Sequence, residues 1–384
     1  MSSYLESENK YDCSGCQACK NICPKDCISM EYDNEGFLYP VIDKLKCVNC
    51  QKCINVCEYN KEISEVSNQK VYAARNKDEN IVKKSSSGGL FIPLSDYILE
   101  ENGMICGAKF NEEYLVTHDI TNNKEIRDSF CGSKYLQSNV GDIYKEVEKN
   151  LKVGRKVLFT GTPCQVDGLK NYLNKEYDNL VLMDFVCHGV PSPILFKKHI
   201  DKKSKKYKDN ISNLTFRYKK AEWGTQNLKI NFNNGKIYSK KGMRDTYYNL
   251  FLSNIILRPS CYKCRYSNTN RVSDITIADF WGIEDIKPKF HSKNGASLLI
   301  INTKKGEILI NDIKDEITLE ESSFEEAKKR QVNLSNPSTE NKRRKLYFKI
   351  YDKLGFSIAN FFVIHFIKVI KKPVNVLRKI KYNN

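Results

Sequence analysis

The chain has 384 residues, 40% of them hydrophobic, which suits two or three domains with a buried core. Its net charge of +17 would suit a nucleic-acid binder, but residues 341–384 hold twelve Lys/Arg against the single Asp352, so the preceding 340 residues carry only +6. The excess sits in a tail, and nucleic acid is not expected as a partner. Met1-Ser2-Ser3-Tyr4-Leu5-Glu6 runs into polar, acidic sequence without the apolar stretch of a signal peptide, which predicts a cytoplasmic protein. Fifteen cysteines in such a chain point to metal or catalytic use, because reducing compartments disfavour structural disulfides.

The first sixty residues carry Cys13-x2-Cys16-x2-Cys19-x3-Cys23-Pro24, and the pattern recurs 34 residues later as Cys47-x2-Cys50-x2-Cys53-x3-Cys57. This is the bacterial two-cluster ferredoxin run, in which the fourth cysteine of each set ligates the other cluster. The expected sets are therefore Cys13, Cys16, Cys19 and Cys57 for one [4Fe–4S] cluster, and Cys47, Cys50, Cys53 and Cys23 for the other. A zinc site would more commonly use two separated C-x2-C pairs or include histidine, and no histidine lies in residues 1–60. Glu58 stands where the second run would carry its proline. Cys27 has no slot in the scheme and is expected to pack as a small hydrophobe.

Residues 1–62 thus read as a small dicluster ferredoxin fold, and the polar stretch Tyr59–Lys70 as a linker. A second domain begins near Val71. Short apolar, β-branched runs predict strands at Met104–Phe110, Lys156–Thr160, Leu180–Val186, Leu228–Phe232, Asp274–Ala278 and Ser297–Asn302. Helical patterns fall at Leu90–Leu99, Val166–Leu173, Ile194–Lys203, Thr246–Leu257 and Lys305–Ile313. The class is α/β, in two parts, residues 71–150 and 151–330, followed by a basic, partly apolar helical tail, residues 341–384.

Several segments of this domain read as chemical. Ser85-Ser86-Ser87-Gly88-Gly89 precedes a helix and suits either an anion cradle or an ordinary N-cap and turn. Gly161-Thr162-Pro163-Cys164-Gln165 and Cys187-His188-Gly189-Val190-Pro191-Ser192 both follow predicted strands, where open α/β sheets bind ligands. With Cys261-x2-Cys264, the residues Cys164 and Cys187 make a second thiol population outside the ferredoxin module. These four thiols match the ligand count of a third [4Fe–4S] cluster, while Cys261-x2-Cys264 alone would suit a redox dithiol; both alternatives stay open, as does inert packing.

Five motifs in order, Ser86-Ser87-Gly88-Gly89, Gly132-Ser133-Lys134-Tyr135, Gly161-Thr162-Pro163-Cys164-Gln165, Cys187-His188-Gly189-Val190-Pro191-Ser192 and Asp274-Ile275-Thr276-Ile277-Ala278-Asp279-Phe280-Trp281-Gly282, make residues 71 to about 330 resemble the coenzyme F420 hydrogenase/dehydrogenase beta-subunit family. That resemblance implies a flavoprotein-like α/β domain holding FAD beside iron–sulfur clusters. It places the flavin phosphates against Ser86, Ser87, Gly88 and Gly89, with Gly161 and Thr162 on the isoalloxazine side and Lys134 as a charge complement.

His188, beside Cys187, is the candidate proton donor, and Asp279 and Trp281 are expected to shape the same cleft. The expected function is an iron–sulfur flavin-dependent oxidoreductase, with ferredoxin or another redox protein as electron partner and a small molecule as substrate. The alternatives are an electron-transfer subunit without turnover of its own, a coenzyme F420-linked reductase, and a redox accessory protein of surface-polysaccharide biosynthesis. The last draws on the tail, where basic residues flank Phe361, Phe362, Ile364, Phe366 and Ile367 and suit either packing on the core or peripheral contact with an anionic membrane.

Overall fold

The computed structural model describes residues 3–219, 223–224 and 227–366. The duplicated cysteine run becomes a duplicated backbone. Gln17 and Gln51 each adopt a left-handed conformation, at φ of 66° and 59°, and each starts a one-turn helix, Ala18–Asn21 and Lys52–Asn55, that carries the third cysteine of its run. Between the runs lies an antiparallel hairpin of β1 (Ile28–Tyr32) and β2 (Leu38–Ile42), with Met30 opposite Pro40. Its turn is set locally: the Asp33 carboxylate accepts from the amides of Glu35 and Phe37, and Gly36 supplies a positive φ.

The remaining strands are β3 (Lys70–Asn76), β4 (Met104–Phe110), β5 (Val116–Thr121), β6 (Val157–Thr160), β7 (Leu180–Phe185), β8 (Ile211–Thr215), β9 (Asn227–Phe232), β10 (Ile237–Lys241), β11 (Ile275–Asp279), β12 (Ser297–Ile301) and β13 (Ile317–Ser322). Eight of them form one sheet in the order β13-β3-β12-β11-β7-β6-β4-β5. Its centre, β4, β6, β7 and β11, is parallel, and the flanking pairs are antiparallel. A parallel centre covered on both faces requires continuous apolar runs, as Leu180–Met183 shows.

Alternate residues part to opposite faces. Val157, Phe159, Leu180 and Leu182 meet Val147, Leu151, Val166 and Leu169 from the helices Ile143–Lys152 and Pro163–Leu173. Leu158, Val181 and Met183 meet Leu94, Ile98, Leu309 and Ile310 from the helices Phe91–Glu100 and Lys304–Asp312. A second, antiparallel sheet in the order β10-β9-β8 shares a core with the helices Pro193–Tyr207, Thr246–Leu252 and Arg344–Asn360.

The helix expected over Thr246–Leu257 stops at Leu252, because Asn254 turns left-handed at φ 55° and Leu257 bridges to Pro191. The tail helix is broken at Gly355, φ 79°, and passes into a π-helical turn at Phe361–Phe366. The rest of the expected tail, from Ile367 onward, lies outside the described residues. Among the described residues no helix is long and apolar enough to cross a membrane.

The N-terminal module is bonded to the large sheet's domain rather than tethered to it. Arg344 forms a two-pronged ion pair with Glu35, Ser192 donates its hydroxyl to the Glu35 carbonyl at 2.7 Å, and Arg265 donates to the carbonyls of Glu58 and Lys61. Gly168 allows a close approach: a Cβ there would stand 2.9 Å from the Cβ of Cys16.

Candidate functional site

The eight N-terminal cysteines gather around two small cavities. Cys13, Cys16, Cys19 and Cys57 line the inner one, together with Cys53. Cys23, Cys47, Cys50 and Cys53 line the outer one, together with Cys27. The fourth cysteine of each run therefore faces the other run's cavity. Among the described residues no three His, Cys, Asp or Glu side chains form a single-ion site. Rings of four thiols around a void, contributed crosswise, have the donor chemistry and ligand count of [4Fe–4S] clusters, so the residues fit the groups. Cys27 is buried beside Ile28, as a small hydrophobe would be, and its sulfur lies 3.3 Å from that of Cys23.

Glu58, in the place of the second proline, has a structural use. It is buried, accepts from the Tyr266 hydroxyl at 2.6 Å, and burial with Asp167 nearby pushes its carboxyl up to about 7. The Tyr266 hydroxyl also lies 2.7 Å from the Asp167 carboxylate, which ties the module to the helix Pro163–Leu173.

The second thiol population lies behind the inner cavity. Burial, then the charge of Glu58, and after it those of Cys187 and Cys264, raise the thiol of Cys164; burial, then Cys261 and Cys264, raise that of Cys187. Burial and Cys264 push Cys261 up to about 12. Cys187 is thus within electrostatic reach of the other three thiols, and Cys164 and Cys264 share a core with Cys16 and Cys19. Gly189 and Val190 lie against Cys261, whose sulfur accepts from the Val190 amide at 3.4 Å. Arg258 spans the two groups. It is fully buried, donates to the Cys13 carbonyl at 2.7 Å and the Cys13 sulfur at 3.2 Å, and feels the charge of Cys261.

Beyond Cys187 opens a cavity of about 440 Å³ at the ends of β6, β7 and β11. Its walls include Ser86, Ser87, Gly89, Lys134, Gly161, Thr162, Cys187 and His188, so most of the residues expected at a flavin or a substrate converge there. Gly88 does not line it. Its amide donates to the Ser297 hydroxyl, and a Cβ would stand 2.6 Å from the Ala74 carbonyl oxygen, so this glycine serves close packing on β3 and β12 rather than phosphate contact. The Ser86 hydroxyl accepts from the amide and hydroxyl of Ser133, and the Ser87 hydroxyl donates to the Ala296 carbonyl. Thr162 caps the helix Pro163–Leu173 in a reciprocal box with Gln165.

Lys134 offers charge more than contact. Its ammonium donates to the carbonyls of Phe130, Cys131 and Gly132, and burial pushes it down to about 8. His188, the candidate proton donor, is bonded through its ring nitrogens. Its Nε2 lies 2.7 Å from the Asn254 side-chain oxygen and its Nδ1 3.5 Å from the Ser338 hydroxyl, while burial lowers its pKa and favours the neutral ring. The ring is therefore a hydrogen-bonded part of the cavity wall.

Arg217 is the cavity residue that the sequence concealed. It lies in a run of alternating aromatic and basic residues that reads as exposed, yet it is buried against Asp279 at 2.7 Å and the Tyr135 hydroxyl at 3.2 Å, with Trp281 5.2 Å away. Its partner Asp279 is 62 positions distant, so no local signal marks it. Trp223 and Trp281 stack at 5.1 Å beside it.

Residues 154–327 match the family model for the C terminus of the coenzyme F420 hydrogenase/dehydrogenase beta subunit, and residues 12–61 match a 4Fe-4S dicluster domain. A relative described as coenzyme F420 hydrogenase subunit beta, from Methanococcus voltae, is 23% identical over 272 residues, covering 67% of this chain and 85% of the relative. A chain from a xenon-derivatized structure of the F420-reducing [NiFe] hydrogenase complex of Methanosarcina barkeri aligns with a TM-score of 0.48 at 15% identity, covering 71% of this chain and 91% of that one.

Proposed function

The chain carries the C-terminal domain of the coenzyme F420 hydrogenase/dehydrogenase beta-subunit family behind a 4Fe-4S dicluster domain, and on that premise we propose that it is an iron–sulfur flavoprotein oxidoreductase. One observation carries the reading. Cys187 belongs both to the buried group of four thiols and to the wall of the 440 Å³ cavity, so the cysteine series ends where a small molecule can bind. A cavity of this size lies within the usual range for cofactor and ligand sites.

In this reading Cys13, Cys16, Cys19 and Cys57 hold the inner cluster, and Cys47, Cys50, Cys53 and Cys23 the outer. Cys164, Cys187, Cys261 and Cys264 hold a third. Ser86, Ser87 and Gly89 would hold the phosphates of FAD in the large cavity, with Gly161 and Thr162 toward its ring. Bound clusters supply one-electron carriers and the flavin converts between one- and two-electron chemistry. The protein's own part is to exclude water from the thiols, hold the serine loop by hydrogen bonds, and keep Arg217 as a fixed positive charge and Lys134 as a titratable one at the cavity.

Anaerobic purification with iron, sulfide and flavin quantified is expected to give about twelve iron atoms per chain and about one flavin. Protein with neither flavin nor a flavin-binding signal would overturn the flavoprotein reading. Relatedness to a hydrogenase subunit favours one alternative, an electron-transfer subunit of a larger redox complex; it would carry clusters yet turn over no small molecule, deazaflavin included, on its own.

The cavity's charge also makes a pH-dependent expectation. Lys134 is protonated below about 8 and neutral above it, and Lys219, which burial and Arg217 also push down to about 8, titrates with it nearby. Affinity of flavin-free protein for FAD, read by fluorescence quenching, is expected to fall about tenfold as pH rises from 7 to 9.5, since loss of a nearby cation weakens attraction for the pyrophosphate. Lys134→Met should flatten most of that dependence. An unchanged slope in this variant would separate Lys134 from phosphate recognition.

A further inference from the structure

We propose that the exposed face around the outer cysteine cavity is the docking surface for a small acidic one-electron carrier protein; this rests on the reading above that the N-terminal cavities hold clusters. Cys50 alone among the fifteen cysteines is exposed, so the outer thiol set is the one that reaches the surface. Beside it, in the loop after β2, Leu45 is 99% exposed and Val48 is 56% exposed. Leu45 packs against almost nothing in its own chain, so core packing does not explain a leucine there.

The rim is basic. Lys25 and Lys52 line the cavity mouth together with Val48 and Cys50, and Lys44 and Lys46 flank Leu45; all four lysines are exposed. Two carboxylates lie nearby, and both are already engaged: Asp43 pairs with Lys46 at 3.4 Å and Asp26 with Lys145 at 2.9 Å. The uncompensated charge of the face is therefore positive, and its complement is an acidic partner. A small apolar contact ringed by like charges suits rapid, salt-sensitive encounters, whereas a permanently bound subunit would bury a larger and more apolar area.

The face also has the right position. It lies at the opposite end of the cysteine series from the large cavity, so a protein carrier and a small-molecule substrate would not compete for one opening. Each encounter oxidises the carrier by one electron and reduces this protein by one, with no atom transferred. Two encounters deliver the electron pair that an organic substrate takes up.

The test uses full-length reconstituted protein of verified iron content and a reduced acidic dicluster ferredoxin as probe, mixed over a range of ionic strength. The double variant Lys44→Glu with Leu45→Glu alters exposed side chains that do not line the cavity. It is expected to lower the association rate constant at low salt by at least ~10-fold and to abolish the decline of that rate with salt. Binding of the oxidised ferredoxin, measured by interferometry without turnover, should weaken in parallel. A control with Lys236→Glu and Ile237→Glu, also exposed but at the start of β10, should behave as wild type. Wild-type kinetics and affinity in the first variant, at full iron content, would overturn the docking surface alone; wild-type protein without iron after reconstitution would overturn the cluster reading with it.

Discussion

Replacing Cys261 and Cys264 by serine is expected to lower the iron content of anaerobically reconstituted protein from about twelve atoms per chain to about eight. The two residues lie in a buried group with Cys187, which feels the charge of both, and Cys164, which feels that of Cys187 and Cys264. That group is separate from the two N-terminal cavities, so its loss should leave the other eight ligands intact. A redox dithiol would behave differently. Wild-type protein would then already hold about eight iron atoms, the serine variant would hold as many, and thiol titration would fall by two per chain. The spectroscopic signals of the two remaining clusters should survive in the variant, because neither cavity is lined by Cys261 or Cys264.

Arg258→Met is expected to destabilise the protein by about 4 kcal/mol or more, since each hydrogen bond to a charged group contributes roughly 1.5–3 kcal/mol. The guanidinium is wholly buried and donates to the carbonyls of Cys13 and Leu38, the side-chain oxygen of Gln137 and the sulfur of Cys13. It also lies 4.1 Å from the Tyr39 ring centre. Methionine fills much of the same space but satisfies none of those acceptors, and it removes a cation that acts on both Cys13 and Cys261. Urea-induced loss of cluster absorbance should shift to lower concentration, with the inner cluster lost first. Lysine at this position keeps the charge but not the planar fork, and should recover only part of the loss. An Arg258→Met protein within ~1 kcal/mol of wild type would show that the N-terminal module is held by its other contacts.

The parts of this fold that were legible in the sequence are those specified locally. The cysteine spacing repeats, and so does the backbone, down to the left-handed Gln17 and Gln51. The buried strands β4, β6, β7, β11 and β12 announce themselves as short apolar runs because both their faces, or the greater part of them, are apolar, and β9 by alternating Leu228, Ile230 and Phe232 with Lys229 and Asn231. Strands β10 and β13 are at sheet edges and carry Lys240, Lys241, Glu320 and Glu321, so their pattern reads as loop.

The candidate site divides in the same way. Gly161, Thr162 and Cys187 lie on turns at strand ends, and Ser86 and Ser87 on the turn between the helices Glu79–Lys84 and Phe91–Glu100, where sequence pattern and ligand chemistry coincide. Arg217, Arg258 and the Glu58–Tyr266–Asp167 network depend on partners far away in the chain, such as Arg258 with Cys13 at a separation of 245 residues. Gly88 shows the converse: its glycine requirement was legible, but the neighbour that imposes it is Ala74 on the adjacent strand and not a ligand. His188 likewise has a histidine's chemistry in sequence, and only its bonds to Asn254 and Ser338 reveal how both ring nitrogens are used.

The most direct test of the proposed path from the outer cysteines to the cavity is anaerobic rapid mixing of flavin-loaded protein with a reduced ferredoxin, following flavin absorbance in wild type and in the Cys261→Ser, Cys264→Ser variant. Flavin in the wild type should be reduced. In the variant, with flavin still bound and still reducible by a small-molecule donor, reduction by ferredoxin should fall by orders of magnitude. Equal rates in the two proteins would contradict a path through this thiol group.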